Sequence, residues 1–185
     1  MSAVETIREW LEKGNSLPDE SDLFFKMWVL INAYYNEVYK EGKEWERVLH
    51  FGRDFGNIFG NLDRTNLGVF VVPECIGKRE LAEPPNQYVK KASEVLKRKL
   101  GITYNCEKCR GDKKQHCQKI PPSNHNFQDF EALMRILYQI RCNLFHGAKL
   151  DNLNEYQKRR NQELVTQGNI VLKNILKEVA KSTKK

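Results

Sequence analysis

No run of about 18 apolar residues in this chain is free of charged side chains, which leaves no expected membrane-spanning helix. The opening stretch MSAVETIREW is acidic and amphipathic and has no apolar core, so no secretory signal is expected and the default compartment is the cytoplasm. A glycine-rich phosphate loop is missing, as is any GxSxG nucleophile turn, and these two absences set aside the common nucleotide hydrolases and serine hydrolases. No carboxylates cluster at the spacing of a magnesium site; the close pair Glu44 and Glu46 reads as solvated charge. There is no internal repeat.

What is present fits one globular unit. A chain of 185 residues that is 40% hydrophobic can bury one good core, and is read as a single domain over 1–185 with 76–125 as an insertion. Charge is laid out unevenly: 8 basic against 13 acidic side chains in 1–75, 12 against 5 in 76–120, and 11 against 6 in 121–185. Basic character therefore gathers from residue 76 onward, as a docking polyanion requires, although lysine-rich faces on small proteins are commonly just solvated. Two clusters stand out as candidate RNA-binding groups, Lys97, Arg98, Lys99 and Lys158, Arg159, Arg160.

In chain order, a short helix is expected over Val4 to Lys13, closed by Gly14. Asp19 to Asp22 then supply acids and a cap for a helix from Leu23 to Tyr39 that is apolar nearly all round and should be central. Asn32 and Asn36 interrupt one of its faces; they are read first as satisfied amides that link helices. Another helix is expected from Lys43 to about Phe59, past Gly52 and Gly56, with His50 packed or on the surface. LGVFVV at 67–72 is short and β-branched and reads as a buried extended segment, with a small hairpin as the alternative. A basic helix from Gln87 to Leu100, stopped at Gly101, follows. The final helix is expected from Glu155 to about Ala180, with Leu164, Val171, Ile175 and Val179 as its seam, supported by Leu172 and Leu176.

Between the basic helix and Pro121 lies a polar, lysine-rich stretch long enough to need a function or something to pin it. Cys106-x2-Cys109 supplies the tight thiolate turn that tetrahedral zinc favours. Cys117 or His116 is the third candidate ligand, and Cys75 or His125 the fourth. Such a zinc would be structural, since soft thiolates leave no evident open position for catalysis. Free thiols are the competing reading of these five cysteines, an odd number in a reducing compartment.

The most informative stretch is Phe127 to Gly147, FQDFEALMRILYQIRCNLFHG. Phe127, Phe130, Met134, Leu137 and Leu144 recur at steps of three and four along one helical seam, and the position on that seam between Leu137 and Leu144 is Arg141. An unpaired guanidinium is costly to bury. The seam therefore either opens into a polar cavity or interface at this end, or brings a partner to Arg141. His146 comes five residues later, and Gly147 is a natural helix stop. A structural role for the pair is also consistent with the sequence, the arginine satisfying helix-end carbonyls and the histidine favouring the negative end of the helix dipole.

RCNLFHG resembles the R-x4-H motif of the HEPN superfamily, α-helical domains many of which are metal-independent ribonucleases, and FKMWVLINAYYNEVY resembles the opening helix of such bacterial domains. The likeness covers these two helices well and the middle of the chain poorly. It implies an all-α, HEPN-like up-and-down bundle and an endoribonuclease that needs no catalytic cofactor, with Arg141 and His146 catalytic and Asn143 orienting them. The family often places a polar residue directly after the arginine; here Cys142 stands there and Asn143 follows it. Arg110 and His116 form a looser R-x5-H spacing in the lysine-rich stretch. The resemblance further implies RNA as partner, a homodimer with paired arginines and histidines in one cleft, and toxin, defence or RNA-processing roles. A protein partner such as a nucleotidyltransferase-type antitoxin also fits it. Inactive RNA- or protein-binding modules, and a zinc-stabilised nucleic-acid-binding dimer, are the alternatives.

Overall fold

A computed structural model of the chain describes residues 2–13, 19–63, 67–71, 87–101, 128–145 and 155–182. Seven α-helices account for almost all of them: α1 (Ala3–Lys13), α2 (Glu20–Val38), α3 (Glu44–Asp54), α4 (Ile58–Asn61), α5 (Gln87–Leu100), α6 (Asp129–Phe145) and α7 (Glu155–Ser182). Among the described residues there is no strand, and the architecture is an all-α bundle. The Asp19 carboxylate caps α2 by accepting from the Ser21 and Asp22 N–H groups at 2.7 and 3.1 Å, the role its acidic lead-in suggested. Gly101, at φ 65°, ends α5 where expected.

Helix α6 is the hub. It packs against α3 on one side and α5 on another, with α2 and α7 closing the remainder, and α1 lies across α2 and α7. Phe130, Leu133, Met134, Ile136, Leu137 and Ile140 are all buried, so the helix is covered over more than the single seam. Helix α5 contributes Val89, Ala92 and Leu96 to the same core, which makes this part of 76–125 integral to the bundle. Val171, Leu172, Ile175, Leu176 and Val179 of α7 are buried as their spacing predicts.

Two local expectations are corrected. The helix expected from Lys43 to Phe59 stops at Asp54, turns through 55–57 and resumes as the four-residue α4, because Phe55, Ile58 and Phe59 must reach the core from a chain that changes direction. Residues 67–72 were expected to be extended, yet Leu67–Phe70 forms a 3₁₀ turn. Residues three apart eclipse in that geometry, and Leu67 and Phe70 are thereby buried together. No helix among the described residues is long and apolar enough to cross a membrane.

Helices α3 and α6 run antiparallel, which follows from two ion pairs at their opposite ends. Arg53 near the end of α3 meets buried Glu131 in the first turn of α6, Nη2 to Oε1 3.4 Å. Glu44 at the start of α3 meets Arg141 towards the end of α6, Nη2 to Oε1 3.6 Å. Each acid lies at a helix amino end and each arginine towards a carboxyl end, the arrangement that the backbone dipoles favour.

Candidate functional site

The apolar seam of α6 reaches Arg141 one turn before the helix ends at Phe145. Its side chain is only 23% exposed, so the charge needs compensation. Glu44, 27% exposed, supplies it. This corrects the reading of Glu44 and Glu46 as solvated acids: Glu46 accepts the Lys43 N–H at 2.7 Å and helps start α3, while Glu44 faces inward. Glu44 of the same chain thus supplies a partner of the kind that the seam demands.

Glu44 is reached by a tight turn. Gly42 has φ 88°, a left-handed conformation that favours glycine, and it reverses the chain after α2 so that α3 begins beside α2. The Glu44 Oε1 atom then accepts from Asn32 Nδ2 at 3.2 Å and from the Tyr35 hydroxyl at 3.3 Å. Asn36 donates to Asn32 Oδ1 in turn. Asn32 thus links α2 to α3, as expected, whereas the bond of Asn36 stays within α2 and its buried Oδ1 has no partner among the described residues, so the linking role holds for one of the two amides.

The arginine has two further neighbours. Its Nη1 donates to Cys142 Sγ at 4.0 Å, and its Cζ lies 5.2 Å from the Phe145 ring centroid. Arg135 stands over Tyr138 in a similar way, 5.9 Å from the centroid, and Tyr138 packs on Trp28. Arg135, Tyr138, Arg141 and Phe145 form a cation–aromatic row along one side of α6, at the i+3 and i+4 steps of a helix face. Burial raises the Tyr35 hydroxyl pKa well above the usual range, with the Glu44 charge and hydrogen bond adding to it. Tyr138 is pushed up to about 12, first by burial and then by Cys142 and Glu44.

Asn143 does not join this group. It is exposed, accepts from Gln139 at 2.8 Å, and sits about 200° around the helix from Arg141. The basic cluster of α5 is also separate from Arg141. Lys99 pairs with Asp129 at 2.9 Å, which places the Lys97, Arg98, Lys99 end of α5 beside the amino end of α6, about 18 Å along that helix from Arg141. Lys158 and Arg159 pair within their own helix with Glu155 and Glu163, and Arg160 donates to the Val69 carbonyl at 3.2 Å. Arg160 is thereby anchored to the bundle instead of being presented as a free cation.

His146 and Gly147, all four candidate zinc cysteines (Cys75, Cys106, Cys109, Cys117), Arg110, His116 and His125 lie outside the described residues. Among the described residues no three His, Cys, Asp or Glu side chains come together to hold a metal. Sequence reasoning missed Glu44, Tyr35, Tyr138, Arg135 and Phe145 as members of the Arg141 environment. The row on α6 was legible as a helical spacing; the partnership with α3 was not. Compared with protein-family models, with curated proteins and with solved structures, the chain matches none of them.

Proposed function

We propose that this protein is a metal-independent endoribonuclease whose reacting groups are Arg141 and His146, acting in toxin, defence or RNA-processing chemistry. The observation that carries the reading is the placement of Arg141: a partly accessible guanidinium on the last turns of α6, five residues before a histidine. A neutral His146 imidazole takes the proton of a ribose 2′-hydroxyl as its oxygen attacks the adjacent phosphorus. The P–O5′ bond breaks, and the leaving 5′-oxygen is protonated by an imidazolium. Arg141 binds the scissile phosphate and offsets charge on its non-bridging oxygens. Five residues correspond to about 140° around a straight helix and about 7.5 Å along it. One copy therefore does not converge both groups on one atom without an unwound last turn, and we place the complete site in a two-fold dimer. A zinc held by Cys106, Cys109, Cys117 and Cys75 would be structural only.

The Glu44 contact favours a second reading, a bundle that binds RNA or a protein without cutting, since a carboxylate already neutralises the arginine. Incubation of purified protein with a mixed RNA pool in EDTA, with product ends mapped, separates the two. The nuclease reading expects cleavage in EDTA, none on DNA, and loss of cleavage in Arg141→Ala and in His146→Ala with the fold intact. Lys97→Ala should instead weaken binding and flatten its salt dependence. A fully active His146→Ala protein ends the reading at this site.

A further inference from the structure

An arginine that holds a reacting phosphate must present its donors in one orientation, because displacement by about 1 Å can cost a hundred-fold in rate. Three neighbours constrain Arg141: Glu44 at 3.6 Å, Cys142 at 4.0 Å and the Phe145 ring at 5.2 Å. Glu44 is the charged one. It is also fixed from another element, because Asn32 and Tyr35 of α2 both donate to the same oxygen that faces Arg141. Its own backbone is the first residue of α3, where unpaired N–H groups favour a carboxylate.

We propose that Glu44 is a positioning residue for Arg141. The carboxylate, itself held by Asn32 and Tyr35, orients the guanidinium through one edge and leaves its other N–H groups for the phosphate of a bound RNA strand. A guanidinium carries five such donors, so one contact with a carboxylate oxygen does not exhaust them. The negative charge of Glu44 also lessens the attraction between Arg141 and a phosphate in the ground state. Its removal should therefore harm turnover and not binding. This role deepens the ribonuclease reading and rests on it for its kinetic consequence, whereas its structural consequence, an ordered Arg141 side chain, does not depend on catalysis.

Glu44→Gln tests it with little change in shape, since the amide oxygen can still accept from Asn32 and Tyr35 and only the charge is lost. With a mixed-sequence single-stranded RNA oligonucleotide, Glu44→Gln should lower kcat by up to about a hundred-fold with KM unchanged or reduced. Tyr35→Phe, which removes one of the two donors to Glu44, should show a smaller loss of the same kind. In nitrogen-15-labelled protein the Arg141 Nε–H should be ordered in the wild type and motionally averaged in Glu44→Gln. A purely structural Glu44 would lower the unfolding midpoint and leave both kcat and Arg141 order unchanged, and that result overturns the proposal, as does a variant more active than wild type. Should the wild type cut no RNA, the ribonuclease reading fails by itself. The Arg141 signal then decides the positioning role: averaging in the variant sustains it, and equal order in both proteins overturns it.

Discussion

Three tyrosines share one property that sets the behaviour of the fold in alkali. Tyr35 is fully buried against Glu44, Tyr39 donates to Asp54 at 2.8 Å, and Tyr138 packs beside Cys142, and burial is the first cause that raises each hydroxyl pKa. A raised folded-state pKa means that the unfolded chain loses its proton first. The stabilising effect is thus complete below the ordinary tyrosine value of 10.0 and is lost as pH rises above it. For Tyr35 the slope is about 1.4 kcal/mol per pH unit once the unfolded chain has ionised. Denaturation midpoints measured from pH 9 to 12 should fall, and Tyr35→Phe should flatten that fall. An unchanged pH dependence in the variant would show that Tyr35 ionises as freely in the folded protein as in the unfolded chain.

At the scale of elements, the α3–α6 pair determines where Arg141 and Glu44 meet. The pair is close because Gly52 has no side chain: a Cβ there would stand 2.6 Å from the Glu131 Cα, a backbone atom that cannot rotate away. Alanine in a helix is worth up to about 1 kcal/mol over glycine, but overpacking a fixed contact costs about 1–3 kcal/mol. Gly52→Ala should therefore destabilise the protein in urea titrations despite its better helix propensity. Gly60→Ala, where a Cβ meets nothing within 4 Å, should be neutral or mildly stabilising. Equal midpoints for the two variants would show that the helices separate at little cost. A destabilised Gly52→Ala protein should also shift the Arg141 environment, since both contacts belong to one packed helix pair.

The molecule as a whole presents an apolar strip next to the Arg141 group. Val29 of α2 is 58% exposed and Phe145 of α6 is 67% exposed, and Phe25 stands edge-on to Phe145 with ring centroids 6.4 Å apart. This strip supports the proposed dimer better than the arginine does, because Arg141 already has Glu44. Light scattering at tens of micromolar should report a dimer, and Val29→Glu should give a monomer of unchanged helix content. A monomeric wild type would remove the composite site. The Lys97, Arg98, Lys99 cluster lies at the far end of α6, so an RNA that touches both it and Arg141 must run along the bundle.

Helical spacing together with helix-end residue types made the all-helical class, the buried faces of α6 and α7, a cap within Asp19 to Asp22 and the stop at Gly101 legible in the sequence. These depend on contacts within a few residues, and the spacing of apolar side chains records which face must leave water. The seam also exposed Arg141 as a misfit that needed compensation. Tertiary structure decided which residue provides it. Glu44 looks like any other solvated acid in its own segment, and its role arises only because Gly42 turns the chain and Gly52 lets α3 lie against α6. The same reason explains the 3₁₀ turn at Leu67–Phe70 and the integration of α5, where burial against distant helices overrode local preference.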